Sequence, residues 1–385
     1  MSRPVSASPA SADTAASPLL DDGHDLVVVN EQAGDLGGTE RVLDAVLCRY
    51  PAARLVALRF GGGNVDGGDG VPWSNPATVV DAGARKRHFL APLYARRTAQ
   101  LPLGDGRVVL SLAHAGWPLA ATLPAGARHV CYRAGAPRSL YGGTHLFLAD
   151  YGRAARVAVR AALPALRAHD RRLMRRCDRV LTNSHGSKRA IERVYGRTAE
   201  LVHPPVRTAF FTAREVERTH LLVVARLSRY KQVDAVTEAM RRLPDERLVV
   251  VGGGPLLDAL RAGAPANVRF TGHIGDPELR SLYRSARALV CPSVEEFGLV
   301  MAEAHACGTP VIAPNAGGAR EIVDDPRSGV LVERADPASL ADAVATLART
   351  GFDPDACRRS ALRFAEERFL ATFARVLAEE RALAG

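Results

Sequence analysis

From residue 25 almost to its end, the chain alternates short apolar runs with amphipathic helical stretches, in two successive series. The first series opens with DLVVVN at 25–30, a buried-strand pattern, then a helical stretch at 39–51 and a strand at 54–60. A Gly/Asp-rich loop follows at 61–70, with further strands at 107–112, 128–133 and 179–184. Between the last two lies a long Ala/Arg helix, 151–177, which Pro164 is expected to break or kink. After the apolar run 201–206 and a polar stretch at 207–218, the second series begins. Its strands are expected at 220–227, 246–255, 267–272, 288–293, 310–315 and 329–333, with helices at 233–243, 276–286 and 337–349. Strands that are apolar without alternation, each followed by a helix, predict parallel sheets covered on both faces.

The expected fold class is therefore α/β, with two facing, doubly wound Rossmann-like domains. A chain of 385 residues is long enough for two cores of ordinary size. The Ser/Ala/Pro-rich stretch 1–23 has no continuous apolar segment and reads as a disordered leader. Residues 24–213 and 214–353 form the two domains, and 354–385 is a helical tail with no strand after it. In open sheets of this kind, ligands bind beyond the carboxyl ends of the strands, so two facing domains create a cleft with a site on each wall.

The formal charge of +10 is unevenly spread: residues 1–213 hold 28 Lys and Arg against 17 Asp and Glu, and the remainder is nearly neutral. Such a field suits an anionic partner, namely nucleic acid, a phospholipid surface or a phosphorylated substrate. An arginine-rich composition that merely decorates solvated faces explains it equally well. No basic–aromatic interleaving supports nucleic acid. Arg153, Arg156, Arg160, Arg167, Arg171, Arg172, Arg175 and Arg176 crowd one helical stretch and suit docking on an anionic membrane face. No run approaches the roughly 18 to 20 apolar residues of a spanning helix. The six cysteines are scattered without metal-ligand spacing, as isolated thiols in a reducing compartment would be. These features place the protein in the cytoplasm, with peripheral contact at the inner membrane face as a further expectation.

The segment 292–308, PSVEEFGLVMAEAHACG, carries the clearest chemistry. A buried strand ends near Cys291, a short loop presents Glu295 and Glu296, and Gly298 opens a helix running to about Ala306. The first amides of that helix, at Gly298, Leu299 and Val300, lack intrahelical acceptors and form an anion site suited to a diphosphate. Glu303 leans back toward the helix start, where ribose hydroxyls can reach it. Taken alone, two glutamates eight apart near a helix start more often mean capping and surface charge.

This segment resembles the donor-binding signature of glycosyltransferase family 4, in which Glu, seven residues and Glu precede Gly-x-Pro-Val-Ile; Phe297, Gly298 and Gly308 fall in register. Arg226 and Lys231, in ARLSRYKQVD, resemble the family's Arg-x-x-x-x-Lys element. The turn at Gly253 resembles its Gly-x-Gly-Pro, and NAGGAREIV at 315–323 its Gly-Gly-x-x-Glu. In the first half, GDLGGTERV with Gly37 and Gly38 looks like the family's Gly-Gly-x-Glu-Arg loop. SLAHAG with His114 resembles a Ser-x-x-His stretch of its sugar-polymer mannosyltransferases. Pro137-Arg138 and Arg207 depart from that subgroup on the acceptor side.

The resemblance implies a GT-B fold, with the tail crossing back to the acceptor-side first domain. It further implies retaining glycosyl transfer without an essential metal or cofactor, from GDP-mannose or a UDP-sugar to an acceptor hydroxyl on a glycan, lipid-linked or natural-product molecule. His114, Glu295, Arg226 and Lys231 are the implied catalytic residues. Gly37, Gly38, Arg226, Lys231, Gly253, Glu295, Phe297, Gly298, Leu299, Val300 and Glu303 are the implied donor-binding residues. A non-catalytic nucleotide-sugar-binding or scaffold protein on the same fold is the alternative.

Overall fold

The computed structural model describes residues 21–30, 38–59, 77–81, 91–113, 116–148 and 151–384. Its first sheet has seven parallel strands: β1 (Leu26–Asn30), β2 (Arg54–Arg59), β3 (Ala77–Asp81), β4 (Val108–Ala113), β5 (Arg128–Arg133), β6 (Arg179–Thr182) and β7 (Glu200–Leu201). They lie in the order β3-β2-β1-β4-β5-β6-β7. The second sheet contains β8 (His220–Val224), β9 (Leu248–Val251), β10 (Val268–Gly272), β11 (Ala286–Val290), β12 (Val311–Pro314) and β13 (Gly329–Val332). Its order is β10-β9-β8-β11-β12-β13. Each sheet is doubly wound and reverses direction next to its first strand, between β1 and β4 and between β8 and β11.

Helices cover both faces of each sheet. In the first domain these are α1 (Gly38–Arg49), α2 (Ala91–Thr98), α3 (Thr144–Leu148), α4 (Arg153–Met174) and α5 (His185–Tyr195). The second carries α6 (Val233–Ala239), α7 (Leu257–Gly263), α8 (Asp276–Ser285), α9 (Leu299–Ala306), α10 (Ala319–Ile322), α11 (Pro337–Thr350) and α12 (Pro354–Leu362). One face of the first sheet buries Tyr94, Trp117, Leu173 and Ile191. The other buries Val42, Val46, Phe369, Phe373 and Leu377. The last three belong to α13 (Glu366–Leu383), which returns to the first domain. Two segments cross between the domains side by side, Val206 N bonding Phe364 O and Glu366 N bonding Val206 O, both at 3.0 Å.

Several expectations from sequence are corrected. The tail is two helices, interrupted at 363–365 where it crosses. The long Ala/Arg helix runs unbroken through Pro164. Pro164 is exposed, so water can satisfy the Arg160 carbonyl left without its usual donor. Asp21 to Gly23, read as part of a disordered leader, are held in place: Asp21 accepts from Arg381 and Asp22 O accepts from Ala52 N. All six cysteines are free, and all but Cys48 are buried. Among the described residues no helix is long and apolar enough to cross a membrane.

Candidate functional site

The motif residues gather at the two reversal points, where a doubly wound sheet leaves a crevice beyond its strand ends. Gly38 begins the helix after β1, and His114 follows β4 directly in sequence. Arg226 and Lys231 follow β8, and 291–298 follows β11. Gly37 and His114 themselves lie outside the described residues. A side-chain carbon built on Gly38 would sit 3.5 Å from Cδ1 of Leu299, so the starts of α1 and α9 face one another at van der Waals distance. Each helix start adds partial positive charge where the two domains meet.

On the second-domain wall, Gly298 precedes α9 with φ 96, a left-handed conformation that glycine adopts readily. Met301 N makes the first bond of the helix, to Gly298 O at 2.9 Å, so the Leu299 and Val300 amides precede the ladder. The Gly317-Gly318 turn presses on this loop: Gly318 N donates to Glu295 O at 2.9 Å. A side-chain carbon on Gly318 would fall 1.9 Å from Phe297 O. Phe297 is buried edge-on against Phe364 and near His203, so only its backbone is left for a ligand.

Lys231 and Glu295 meet in this wall. The ammonium donates to both carboxylate oxygens at 2.7 Å, and the Ser293 hydroxyl also donates to Glu295. Burial works against the charged ammonium, yet the facing Glu295 outweighs it and holds the Lys231 pKa above its ordinary value. Arg226, two residues past the end of β8, is exposed. Gly253 O accepts from Leu227 N at 2.8 Å, which ties the glycine turn to the segment between Arg226 and Lys231. Glu303 is buried and accepts from the Tyr283 hydroxyl at 2.9 Å; its burial pushes the carboxyl pKa up. Among the described residues no three His, Cys, Asp or Glu side chains gather as a metal site would need.

The walls are joined by contacts that sequence reasoning missed. Arg41 of α1 donates to Asp276 of α8 at 2.7 Å, and Arg207 holds the other carboxylate oxygen. Arg207, noted above as a departure, thus completes an interdomain ion triad. At the opposite edge Arg138 donates to Val294 O at 2.8 Å, and Phe147 stacks on Tyr230 with centroids 6.2 Å apart. Glu321 accepts from the His185 and Gly186 amides at the start of α5, at 2.8 and 3.4 Å, and bonds His203 at 3.1 Å. The only sequence cue to the triad is Asp276-Pro277 at a helix start.

These contacts carry a pH dependence. Burial alone would raise the Glu321 carboxyl, but His203 and the α5 amides overcome it and hold the pKa below 4.5. A carboxyl held low in the folded state gives stability that is present above its unfolded value and lost as pH falls through the folded one. Glu321→Gln is therefore expected to lower the melting temperature at pH 7, by the equivalent of about 1.5–3 kcal/mol. In paired melting curves, the gap to wild type should close as pH drops below the ordinary value of 4.5. A gap independent of pH would count against this assignment.

With that geometry in place, comparison with known proteins is informative. Residues 218–350 match the family described as Glycosyl transferases group 1. The second domain is a group 1 glycosyltransferase domain. A D-inositol 3-phosphate glycosyltransferase of Xylanimonas cellulosilytica is 33% identical over 201 residues, which cover 44% of this chain and 48% of that protein. A GDP-mannose-dependent alpha-(1-6)-phosphatidylinositol monomannoside mannosyltransferase of Mycobacterium tuberculosis is 36% identical over 148 residues, 34% of this chain and 38% of its own. The chain spans about half the length, or less, of these curated relatives. Anabaena HepE, solved with UDP and glucose, superposes with a TM-score of 0.70 at 18% identity, covering 91% of this chain and 99% of that one. The fold is that of GT-B glycosyltransferases, as the resemblance implied. Of the expected donor residues in this domain, Lys231 and Glu295 are in direct contact, Gly253 is bonded to the segment between Arg226 and Lys231, Gly298, Leu299 and Val300 open α9, and Glu303 is buried against Tyr283.

Proposed function

We propose that the protein is a retaining, metal-independent glycosyltransferase that moves a sugar from a nucleotide-activated donor to an acceptor hydroxyl. The observation that carries this reading is the meeting of two helix starts, Gly38 and Leu299, with the Lys231–Glu295 pair packed against Gly298. A diphosphate held at the rim of these helix starts would meet their free amides and the Lys231 ammonium, with Arg226 in reach from the same loop, and the developing charge of a leaving nucleoside diphosphate would be stabilised there. As the bond from anomeric carbon to phosphate oxygen breaks, the acceptor oxygen bonds that carbon on the same face, and the departing phosphate takes the hydroxyl proton. Glu295 favours this route over a covalent intermediate, because both its oxygens are engaged by Lys231 and one also by Ser293. Glu303 would bind the ribose, and His114 and Gly37 would complete the donor site from the first domain.

The donor is GDP-mannose or a UDP-sugar: the mycobacterial relative is named for the former, and HepE was solved with UDP. Both relatives are named for phosphorylated inositol compounds, and the positive first half of this chain suits an acceptor that is likewise anionic. The site of action in this reading is the cytoplasm, at the inner membrane face where the acceptor is lipid-linked, with no role for nucleic acid.

Melting curves against a panel of UDP-, GDP-, ADP- and TDP-sugars test this. At about 100 times Kd, a bound donor should add about 2.7 kcal/mol of apparent stability. Glu303→Ala and Arg226→Ala should reduce the shift. Failure of every nucleotide sugar to stabilise wild type, or equal shifts in the variants, would overturn the site. Binding without sugar transfer to any acceptor would favour the non-catalytic alternative.

A further inference from the structure

The structure divides the arginines of 153–176, that is α4 and the two residues after it, into two main groups, with Arg172 set apart by its bond to His169. Arg156, Arg167, Arg171 and Arg176 donate to carbonyls at Tyr151, Leu140, Val194, Ala120 and Ala121, so they fasten the helix to its own domain. Arg153, Arg160 and Arg175 are exposed and, among the described residues, form no ion pair. The first half of the helix is mostly exposed. Only Val159, Leu163 and Leu166 reach inward, toward Leu140, Leu148, Tyr141, Phe147 and Tyr151. The outer surface exposes Ala154, Ala155, Ala158, Ala161 and Ala162 between those arginines, and Val157 is 66% exposed.

Helix α2, which packs beside α4, repeats the combination: Leu93 is 52% exposed and Arg96 and Arg97 face solvent. Neither stretch carries opposing charge, for no Asp or Glu occurs over 82–104 or over 151–169. A solvated face of ordinary composition would mix both signs and would not leave valine and leucine uncovered between the cations.

We propose that the outer faces of α4 and α2 dock the first domain onto an anionic phospholipid surface. Arginines bind lipid phosphates, while Val157, Leu93 and the alanines enter the apolar edge of the headgroup layer. Those uncovered aliphatic side chains favour lipid over a nucleic acid, which would engage the cations and gain nothing from the valine. The proposal deepens the transferase reading, since it brings the acceptor-side domain to the layer in which a lipid-linked acceptor would sit.

Co-sedimentation of the full chain with vesicles tests it. The vesicles are phosphatidylcholine alone, or with about one third phosphatidylglycerol, at low and high salt. Wild type should pellet with the anionic vesicles at low salt and be released by high salt. The Arg153→Glu/Val157→Ser/Arg160→Glu variant and the Arg96→Glu/Arg97→Glu variant should each bind at least about tenfold more weakly. Arg242→Glu/Arg247→Glu, a charge change of equal size on the second domain, should bind as wild type does. Melting curves and the nucleotide-sugar shift, run on all four proteins, separate misfolding and failure of the transferase reading from failure of docking. Wild type staying in the supernatant at low salt, or α4, α2 and control variants binding alike, would overturn the proposal. So would retention on DNA that the α4 variant loses while vesicle binding stays unchanged.

Discussion

Lys231→Ala is expected to lower kcat by about 10²–10³-fold, the loss typical of removing one group that stabilises transition-state charge. In the proposed reading the ammonium meets the charge that gathers on the leaving diphosphate, so kcat and kcat/KM should fall together. The substitution also strands Glu295, whose two oxygens both accept from Lys231 at 2.7 Å. Leaving a largely buried carboxylate unpaired should cost on the order of 3 kcal/mol of stability. Lys231→Ala/Glu295→Ala separates the effects: removing the orphaned charge should restore much of the melting temperature and none of the turnover. Steady-state kinetics and melting curves on both proteins decide the matter. A double variant that regained activity would show the lysine to be structural.

Asp170→Ala should give the largest loss of stability. Arg133 is wholly buried and donates to Asp170 Oδ1 at 2.8 Å, while the Tyr195 hydroxyl donates to Oδ2 at 2.7 Å. Arg133 also donates to Gly135 O at 3.1 Å, and its guanidinium lies 5.1 Å from the Tyr195 ring centre. Alanine removes the counter-charge and leaves a guanidinium that can neither reach water nor shed its proton. Breaking such a pair costs about 3–5 kcal/mol, which for a domain of this size lowers the melting temperature on the order of 10 °C. Asp170→Asn, which keeps the shape and one acceptor, should lose less. A variant melting within a degree or so of wild type would mean the pair contributes no net stability. The pair also underlies the turn after β4, since a side-chain carbon on Gly116 would come within 2.9 Å of Asp170 Oδ1.

The strand–helix rhythm made most of the fold legible, because buried parallel strands are continuous apolar runs. The strand at 128–133 is placed to the residue; most others are overrun at one or both ends, while 107–112 stops short of Ala113 and 288–293 begins two residues after Ala286. Leu227 shows why: it is fully buried but lies beyond the last ladder bond of β8, so apolarity outlasts the strand. Strand β3 and helix α2 are not legible, because each is short and carries a weak pattern. The donor wall was legible because its glycines, glutamates and lysine are close in sequence or carry a recognisable spacing. Arg41 and Asp276 could not be paired that way, since 235 positions separate them and only the closure of two domains brings them together. The arginines of 153–176 likewise read as one cationic face, and only the fold reveals that four of them bond carbonyls.

The central claim is that the facing starts of α1 and α9, with Lys231, form one diphosphate site. Isothermal titration of wild type and Lys231→Ala with UDP and GDP, in EDTA, tests it most directly. The account predicts saturable binding of at least one of the two to wild type, and at least about tenfold weaker binding to Lys231→Ala. Absence of binding to wild type, or equal affinity in both proteins, would contradict it.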